Sequence, residues 1–237
     1  METRTRTKGV IIACDFPNKT ETMKFLSVFP DRDIFVKIGM ELFYGEGPSI
    51  VEEIKSMGYR IFLDLKLHDT PNTVKKAMKN IAKLGVDMTT IHAAGGKRMM
   101  LAAKEGLLTS TGSTLLLAVT VLTSLSEDIL KQELLIQQSV EEVAIHYAKN
   151  AQNSGADGVI CSPLETKMIK LACGDDFVAV TPGIRYAETN DDQSRVATPA
   201  MAKTLGSDFI VVGRPITAAV DPVAVYSRIL ADFLGDV

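Results

Sequence analysis

Cysteine is scarce in this chain of 237 residues, and the three present, Cys14, Cys161 and Cys173, have no paired or metal-ligand spacing. A disulfide scaffold and a thiolate metal site are thereby excluded, and the expectation is buried thiols in a reducing cytoplasm. Long apolar runs are also missing: residues 115–122 fall far short of a membrane span and read as a strand. The first eight residues, Met1 to Lys8, are polar and lack the apolar core of a signal peptide. Charge of either sign is nearly balanced, with a net −3 and a pI near 5.7. This argues against broad nucleic-acid or membrane-surface binding, so any anion site has to be local. No His/Asp/Glu cluster suggests a metal, and no linker, low-complexity segment or short-period repeat divides the chain. With 46% hydrophobic residues, the expectation is one domain, residues 1–237, around one sizeable core.

What the chain does have is a steady alternation of two kinds of segment. Strand-like runs fall at 9–15, 34–40, 60–67, 88–92, 114–122, 158–161, 177–181 and 208–213. Helices are predicted at about 20–29, 48–57, 74–84, 97–108, 126–154, 163–172 and 222–234. Eight such units with continuous Val/Ile/Leu strands call for an α/β fold of one kind, a single-domain (β/α)8 TIM barrel. In such a barrel the chemistry belongs at the carboxyl ends of the strands.

The third strand carries the densest charge there. Ile61, Leu63, Leu65 and Leu67 alternate with Phe62, Asp64, Lys66 and His68, so Asp64 and Lys66 share a face. Asp69 follows at the turn, Pro71 and Asn72 end the strand, and Thr73 is placed to cap the next helix. A lysine between two carboxylates has its charged form favoured, and its pKa is expected to rise. That makes it a poor Schiff-base nucleophile, but a good proton donor and counter-charge to a carbanion. From this triplet alone, an ordinary salt-bridged strand end stands equally well.

The other strand ends decide between them. Asp15 ends the first strand, and Lys37 lies within the second, where a closed barrel offers no edge; it is expected to join Asp64, Lys66 and Asp69 in one balanced network. His92 ends the fourth strand as a candidate pocket wall, whereas His68 reads as structural. Thr120, Thr123 and Ser124 follow the fifth strand, Thr181-Pro182-Gly183-Ile184-Arg185 the seventh, and Gly213-Arg214 the eighth. A glycine and an arginine after the last strand suit a phosphate. The polar segment 185–193 suits a lid. The residues alone thus point to an enzyme on a phosphorylated small molecule, with a carbanion-like state neutralised by lysine.

Asp64-Leu65-Lys66-Leu67-His68-Asp69 matches the D-x-K-x-x-D motif of the orotidine 5′-phosphate decarboxylase family, and Thr70-Pro71-Asn72-Thr73 resembles that family's continuation. Lys37-Ile38-Gly39, Leu122-Thr123-Ser124, Thr181-Pro182-Gly183-Ile184-Arg185 and Val212-Gly213-Arg214-Pro215-Ile216 resemble its other segments, in order. The likeness spans nearly the whole chain and is nearest to the bacterial branch. It implies decarboxylation of orotidine 5′-monophosphate to UMP, without cofactor or metal. The implied catalytic set is Lys66, Asp64, Asp69 and Lys37, with Lys66 protonating C6 and the whole stretch from Asp64 to Thr73 along the substrate. Asp15 and Lys37 would hold ribose, Thr123 and Ser124 would lie near the base, Pro182 would be among the substrate-binding residues, and Arg185, Gln193, Gly213 and Arg214 would hold the phosphate. The resemblance further implies a homodimer in which Asp69 and Thr70 reach the partner's site. Thr70 stands where the family is expected to carry isoleucine. A related aldol-type lyase, 3-hexulose-6-phosphate synthase, would place a metal-binding glutamate where this chain has Lys37. An inactive nucleotide-binding relative would have lost one of the four charges.

Overall fold

The computed structural model describes residues 8–30, 34–110, 113–186 and 195–235. Eight parallel strands close a barrel in sequence order: β1 (Gly9–Ala13), β2 (Phe35–Gly39), β3 (Arg60–Leu67), β4 (Met88–His92), β5 (Leu115–Val119), β6 (Gly158–Ile160), β7 (Val178–Thr181) and β8 (Phe209–Val212), which pairs back with β1. Alternation along the strands sorts the side chains into two layers. Phe35, Phe62, Met88, Leu117, Val178 and Phe209 fill the barrel interior. Val36, Ile61, Leu63, Ile91, Leu116 and Ile210 face outward, into the shell of helices. The expected single-domain (β/α)8 barrel is the fold observed.

The helices are α1 (Lys19–Leu26), α2 (Met40–Glu46), α3 (Ser49–Ser56), α4 (Pro71–Leu84), α5 (Gly96–Leu107), α6 (Glu127–Gln132), α7 (Val140–Gln152), α8 (Pro163–Cys173), α9 (Pro199–Leu205), α10 (Arg214–Thr217) and α11 (Pro222–Leu234). Three differ from the sequence expectation in kind: α2, α9 and α10 had no predicted counterpart. The expected helix over 126–154 is two. Ser139 caps α7 through a reciprocal pair with Glu142, and Leu135 in the break has a left-handed φ of 57°. Helix α4 begins earlier than expected. Pro71 occupies its first turn, where a missing N–H costs nothing, and Thr70 rather than Thr73 is the residue before it. Cys14 and Cys161 are buried as expected, but Cys173 is only half-buried. Among the described residues no helix is long and apolar enough to cross a membrane.

One device recurs at the amino-terminal mouth of the barrel. Gly85-Val86-Asp87, Gly155-Ala156-Asp157 and Gly206-Ser207-Asp208 each lead into an even-numbered strand. Each glycine has positive φ (64°, 81° and 96°), which lets the chain turn sharply out of the preceding helix. Each aspartate then accepts, at 2.8 Å, the backbone N–H of the preceding odd strand: Ile61, Leu116 and Ala179. Asp157 and Asp208 are also paired with Lys104 and Lys170. A repeat was not expected from the sequence, because glycine and aspartate at turns are common enough to hide a three-residue pattern.

Candidate active site

The carboxyl ends of the strands surround a cavity of about 760 Å³. Its floor is apolar, formed by Ala13, Phe62, Val119, Ile160 and Val211 from the interior layer. A second cavity, of about 640 Å³, lies at the opposite mouth among the Gly-x-Asp turns. Only the first gathers the charges singled out in the sequence.

Those charges form one chain of contacts. Lys66 Nζ donates to Asp64 Oδ2 at 2.7 Å, and Lys37 Nζ lies 3.8 Å from the same oxygen. Lys37 Nζ also donates to Asp15 Oδ1 at 2.8 Å. The network is therefore Asp15–Lys37–Asp64–Lys66, with two cations and two anions as expected but with one different member. Asp69, expected as the second anion, is exposed, and its carboxylate accepts the Thr70 N–H, which with the Thr70 hydroxyl holds its pKa down. Within one chain its place is taken by Asp15.

Burial disfavours the Lys37 ammonium, but the charges of Asp64 and Asp15 more than compensate and its pKa is raised. Because the folded value exceeds the unfolded one, the stabilisation is present below lysine's ordinary pKa and is lost as pH climbs through the raised value. Gly39 makes room for this pair. A methyl group there would sit 3.0 Å from both Asp15 Oδ1 and Lys37 Nζ. Gly39→Ala is expected to lower kcat/KM more than it lowers thermal stability, since its backbone (φ −89°) suits alanine. Paired kinetics and thermal melts check this, and unchanged kinetics would place the Lys37–Asp15 contact outside the reaction.

Strand β3 does not run evenly to its charged end. Pairing with β4 shifts register between Leu63 and Leu67, and Lys66 has a left-handed φ of 50°. A β-carbon in this region costs on the order of 1–2 kcal/mol. Thr90 on β4 holds the irregularity in place. Its buried hydroxyl accepts the Lys66 N–H at 2.9 Å and donates to Asp64 Oδ1 at 3.0 Å. Sequence reasoning missed Thr90. The available signal was its inward parity with Met88, a hydroxyl aimed into an otherwise apolar barrel.

The remaining expected residues divide in two. Thr123, Ser124, Pro182, Arg185, Gly213 and Arg214 line the cavity with Asp15, Lys37, Asp64 and Lys66. Leu65 packs into the outer core, Leu67 lies against it, and His68, Asp69, Thr70, Asn72 and Thr73 are exposed beyond the rim with half-buried Pro71. His92 is not among the lining residues. Its ring lies tilted at 36° against that of His68, centroids 5.6 Å apart, and burial, with the charges of His68 and Lys66, lowers its pKa. Thr120 is buried, donating to the Ile160 carbonyl. Cys161, not singled out earlier, lines the wall, but burial pushes its thiol pKa up and keeps it protonated. Gln193 lies outside the described residues, as does most of the segment read as a lid. Among the described residues no three His, Cys, Asp or Glu side chains come together as a metal site.

Such an arrangement offers a cationic donor over an apolar floor at one side and two arginines at another. Residues 8–229 match the pattern of the orotidine 5′-phosphate decarboxylase / HUMPS family. The chain is 54% identical to an orotidine 5′-phosphate decarboxylase of Geobacillus thermodenitrificans over 230 residues, covering 95% of this chain and 96% of that one. It is 51% identical to the protein of the same name from Bacillus cytotoxicus over 233 residues, covering 96% and 98%. The crystal structure of orotidine 5′-phosphate decarboxylase from Lactobacillus acidophilus superposes with a TM-score of 0.88 at 48% identity, covering 96% of this chain and all of that one.

Proposed function

Because this chain belongs to the orotidine 5′-phosphate decarboxylase family and converts orotidine 5′-monophosphate to UMP in pyrimidine biosynthesis, we propose that the Asp15–Lys37–Asp64–Lys66 network is its catalytic apparatus. The observation that carries the assignment is the 2.7 Å contact of Lys66 Nζ with Asp64, above an apolar floor in the cavity at the strand ends. The bond from C6 to the carboxylate breaks, carbon dioxide leaves, and the electron pair stays on C6. The Lys66 ammonium neutralises that charge as it develops, then gives C6 a proton and is reprotonated from solvent. Asp64 lies beside the substrate carboxylate and orients Lys66, and Lys37 and Asp15 hold the ribose hydroxyls.

Thr123, Ser124 and Pro182 border the base, and Arg185, Gln193, Gly213 and Arg214 hold the phosphate. The phosphate is remote from C6, so its binding energy serves to position the reacting end. Asp69 and Thr70, exposed beyond the rim of their own cavity, act in the cavity of a second copy in a homodimer, with the rest of the stretch to Thr73 forming the shared wall. The reaction needs neither metal nor cofactor, and the enzyme works in the cytoplasm on a small molecule rather than on nucleic acid.

Absorbance of orotidine 5′-monophosphate under excess EDTA tests the reaction and the metal together. Full activity is expected, and dependence on added metal would overturn the assignment of Lys66. Arg214→Ala is expected to lower kcat/KM by about 10- to 100-fold, the loss of a charge-assisted contact of about 1.5–3 kcal/mol, with a smaller effect on kcat. A fall in kcat alone would move Arg214 away from the phosphate.

A further inference from the structure

Arg195 carries no role in the chemistry above, yet its side chain joins three segments of the cavity wall. One guanidinium nitrogen donates to Glu165, near the start of α8. The other donates to the carbonyl of Leu122 at 2.9 Å and reaches that of Val121 at 3.5 Å, in the loop after β5 that continues into Thr123 and Ser124. The backbone just beyond Arg195 pairs with the loop after β7: Arg185 N donates to Ala197 O at 3.0 Å, and Ala197 N to Gly183 O at 3.1 Å. A single side chain thus links the wall at Thr123 and Ser124 to the wall that bears Arg185.

The other end of the link is firmly held. Glu165 is 2% exposed and uses both oxygens, one for Arg195 and one for the Ser162 N–H at the cap of α8. Burial raises the Glu165 pKa, and the Arg195 charge acts against that rise. A buried ion pair is weak support for stability, because desolvation offsets most of its attraction. It is strong support for geometry, because a planar guanidinium with one nitrogen on a fixed carboxylate and the other on the Leu122 carbonyl leaves little freedom of orientation. The loop after β5 is a single turn where it lines the cavity, its Leu122 carbonyl shared between the Leu125 N–H at 2.9 Å and Arg195, so Arg195 ties that turn to the wall beside it.

We propose that Arg195 is a positioning residue that couples the phosphate end of the cavity to the base end. Phosphate bound at Arg185 fixes the limb from Gly183 to Arg185, the paired limb at Ala197 is fixed with it, and Arg195 transmits the constraint to Thr123 and Ser124. The inference rests on the reading that these two walls meet phosphate and base respectively.

The test compares two substrates, orotidine 5′-monophosphate and the phosphate-free nucleoside orotidine. Arg195→Ala is expected to lower kcat/KM for the nucleotide by about 10- to 100-fold, within the range that misplacement remote from the chemistry produces. For orotidine, which has no phosphate to couple, the change is expected to stay within about twofold. Arg195→Lys keeps the pairing with Glu165 without the fork, and is expected to show the same selective loss in smaller degree; it serves where the alanine variant does not fold. Equal losses for both substrates, or none for either, would overturn the inference and leave Arg195 a structural residue. Arg214→Ala, measured alongside, reads the phosphate end itself. If it fails to lower nucleotide efficiency, the placement of the phosphate falls and the inference falls with it. If it lowers efficiency while Arg195→Ala does not discriminate between the substrates, only the inference falls.

Discussion

Lys66→Ala is expected to abolish measurable decarboxylation while leaving UMP binding and the fold in place. In the proposed mechanism this ammonium is both the proton donor and the positive charge that faces C6. Loss of a general acid costs about 10²–10⁴ in rate, and loss of a preorganised charge about 10²–10³ more. Together they predict a fall of at least about 10⁴-fold in kcat. The neighbours that remain do not compensate. Lys37 Nζ is 3.8 Å from Asp64 Oδ2 and is already committed to Asp15 at 2.8 Å. Without Lys66 the network holds two carboxylates, Asp15 and Asp64, against one ammonium, a setting that opposes negative charge developing beside Asp64. Single-turnover kinetics, with UMP titration and circular dichroism as controls for binding and folding, decide the matter. Turnover within about tenfold of the parent enzyme would remove Lys66 from the mechanism.

The second large effect is on stability, at the other mouth of the barrel. Asp208 is 7% exposed, and its Oδ2 accepts both the Ala179 N–H at 2.8 Å and Lys170 Nζ at 2.6 Å. Asp208→Ala leaves that N–H without its side-chain acceptor and the Lys170 ammonium with only the carbonyls of Asp175 and Phe177. Breaking a buried pair by removing one partner costs about 3–5 kcal/mol, a large share of the roughly 5–15 kcal/mol that holds most proteins folded. At about 2–4 °C per kcal/mol for a chain of this size, the melting temperature should fall by roughly 6–20 °C. Asp208→Asn keeps an acceptor for Ala179 and should lose less. Activity per folded molecule should be unchanged, because the cavity that carries the network lies at the opposite strand ends. Urea titration checks the claim, and a loss below about 1 kcal/mol would show that the turn is held by its glycine instead.

The barrel was legible in the sequence because parallel strands buried on both faces leave continuous Val/Ile/Leu runs at regular intervals, and β3 and α11 fell where the pattern placed them. The helices that escaped notice were short or adjoined other structure. Helix α10 is four residues long, and α2 follows β2 without a loop. Helix α9 did announce itself, through Thr198 as cap and Pro199 in the first turn. At the site, Lys37, Asp64, Lys66 and Arg214 were readable because charge recurred at the carboxyl ends of several strands and inside one strand of a closed barrel, more than a single salt-bridged strand end accounts for. Thr90 was not, since a threonine in a strand usually signifies nothing more than strand propensity. The exchange of Asp69 for Asp15 had a different cause. Spacing along one strand gives direction, but only the turn after Leu67 decides whether the next carboxylate faces inward or away.

The left-handed backbone at Lys66 has a consequence for how this position can evolve. Glycine and asparagine accept that conformation at little or no steric cost, and neither carries an ammonium. Selection for stability alone would therefore draw the chain toward residues without an ammonium, while selection for the proposed proton donor retains a side chain the backbone suits poorly. The two pressures at Lys66 pull against each other. Compensation has to arise elsewhere, and Thr90, which bonds both the Lys66 amide and Asp64, is where any relaxation of that constraint would first be felt.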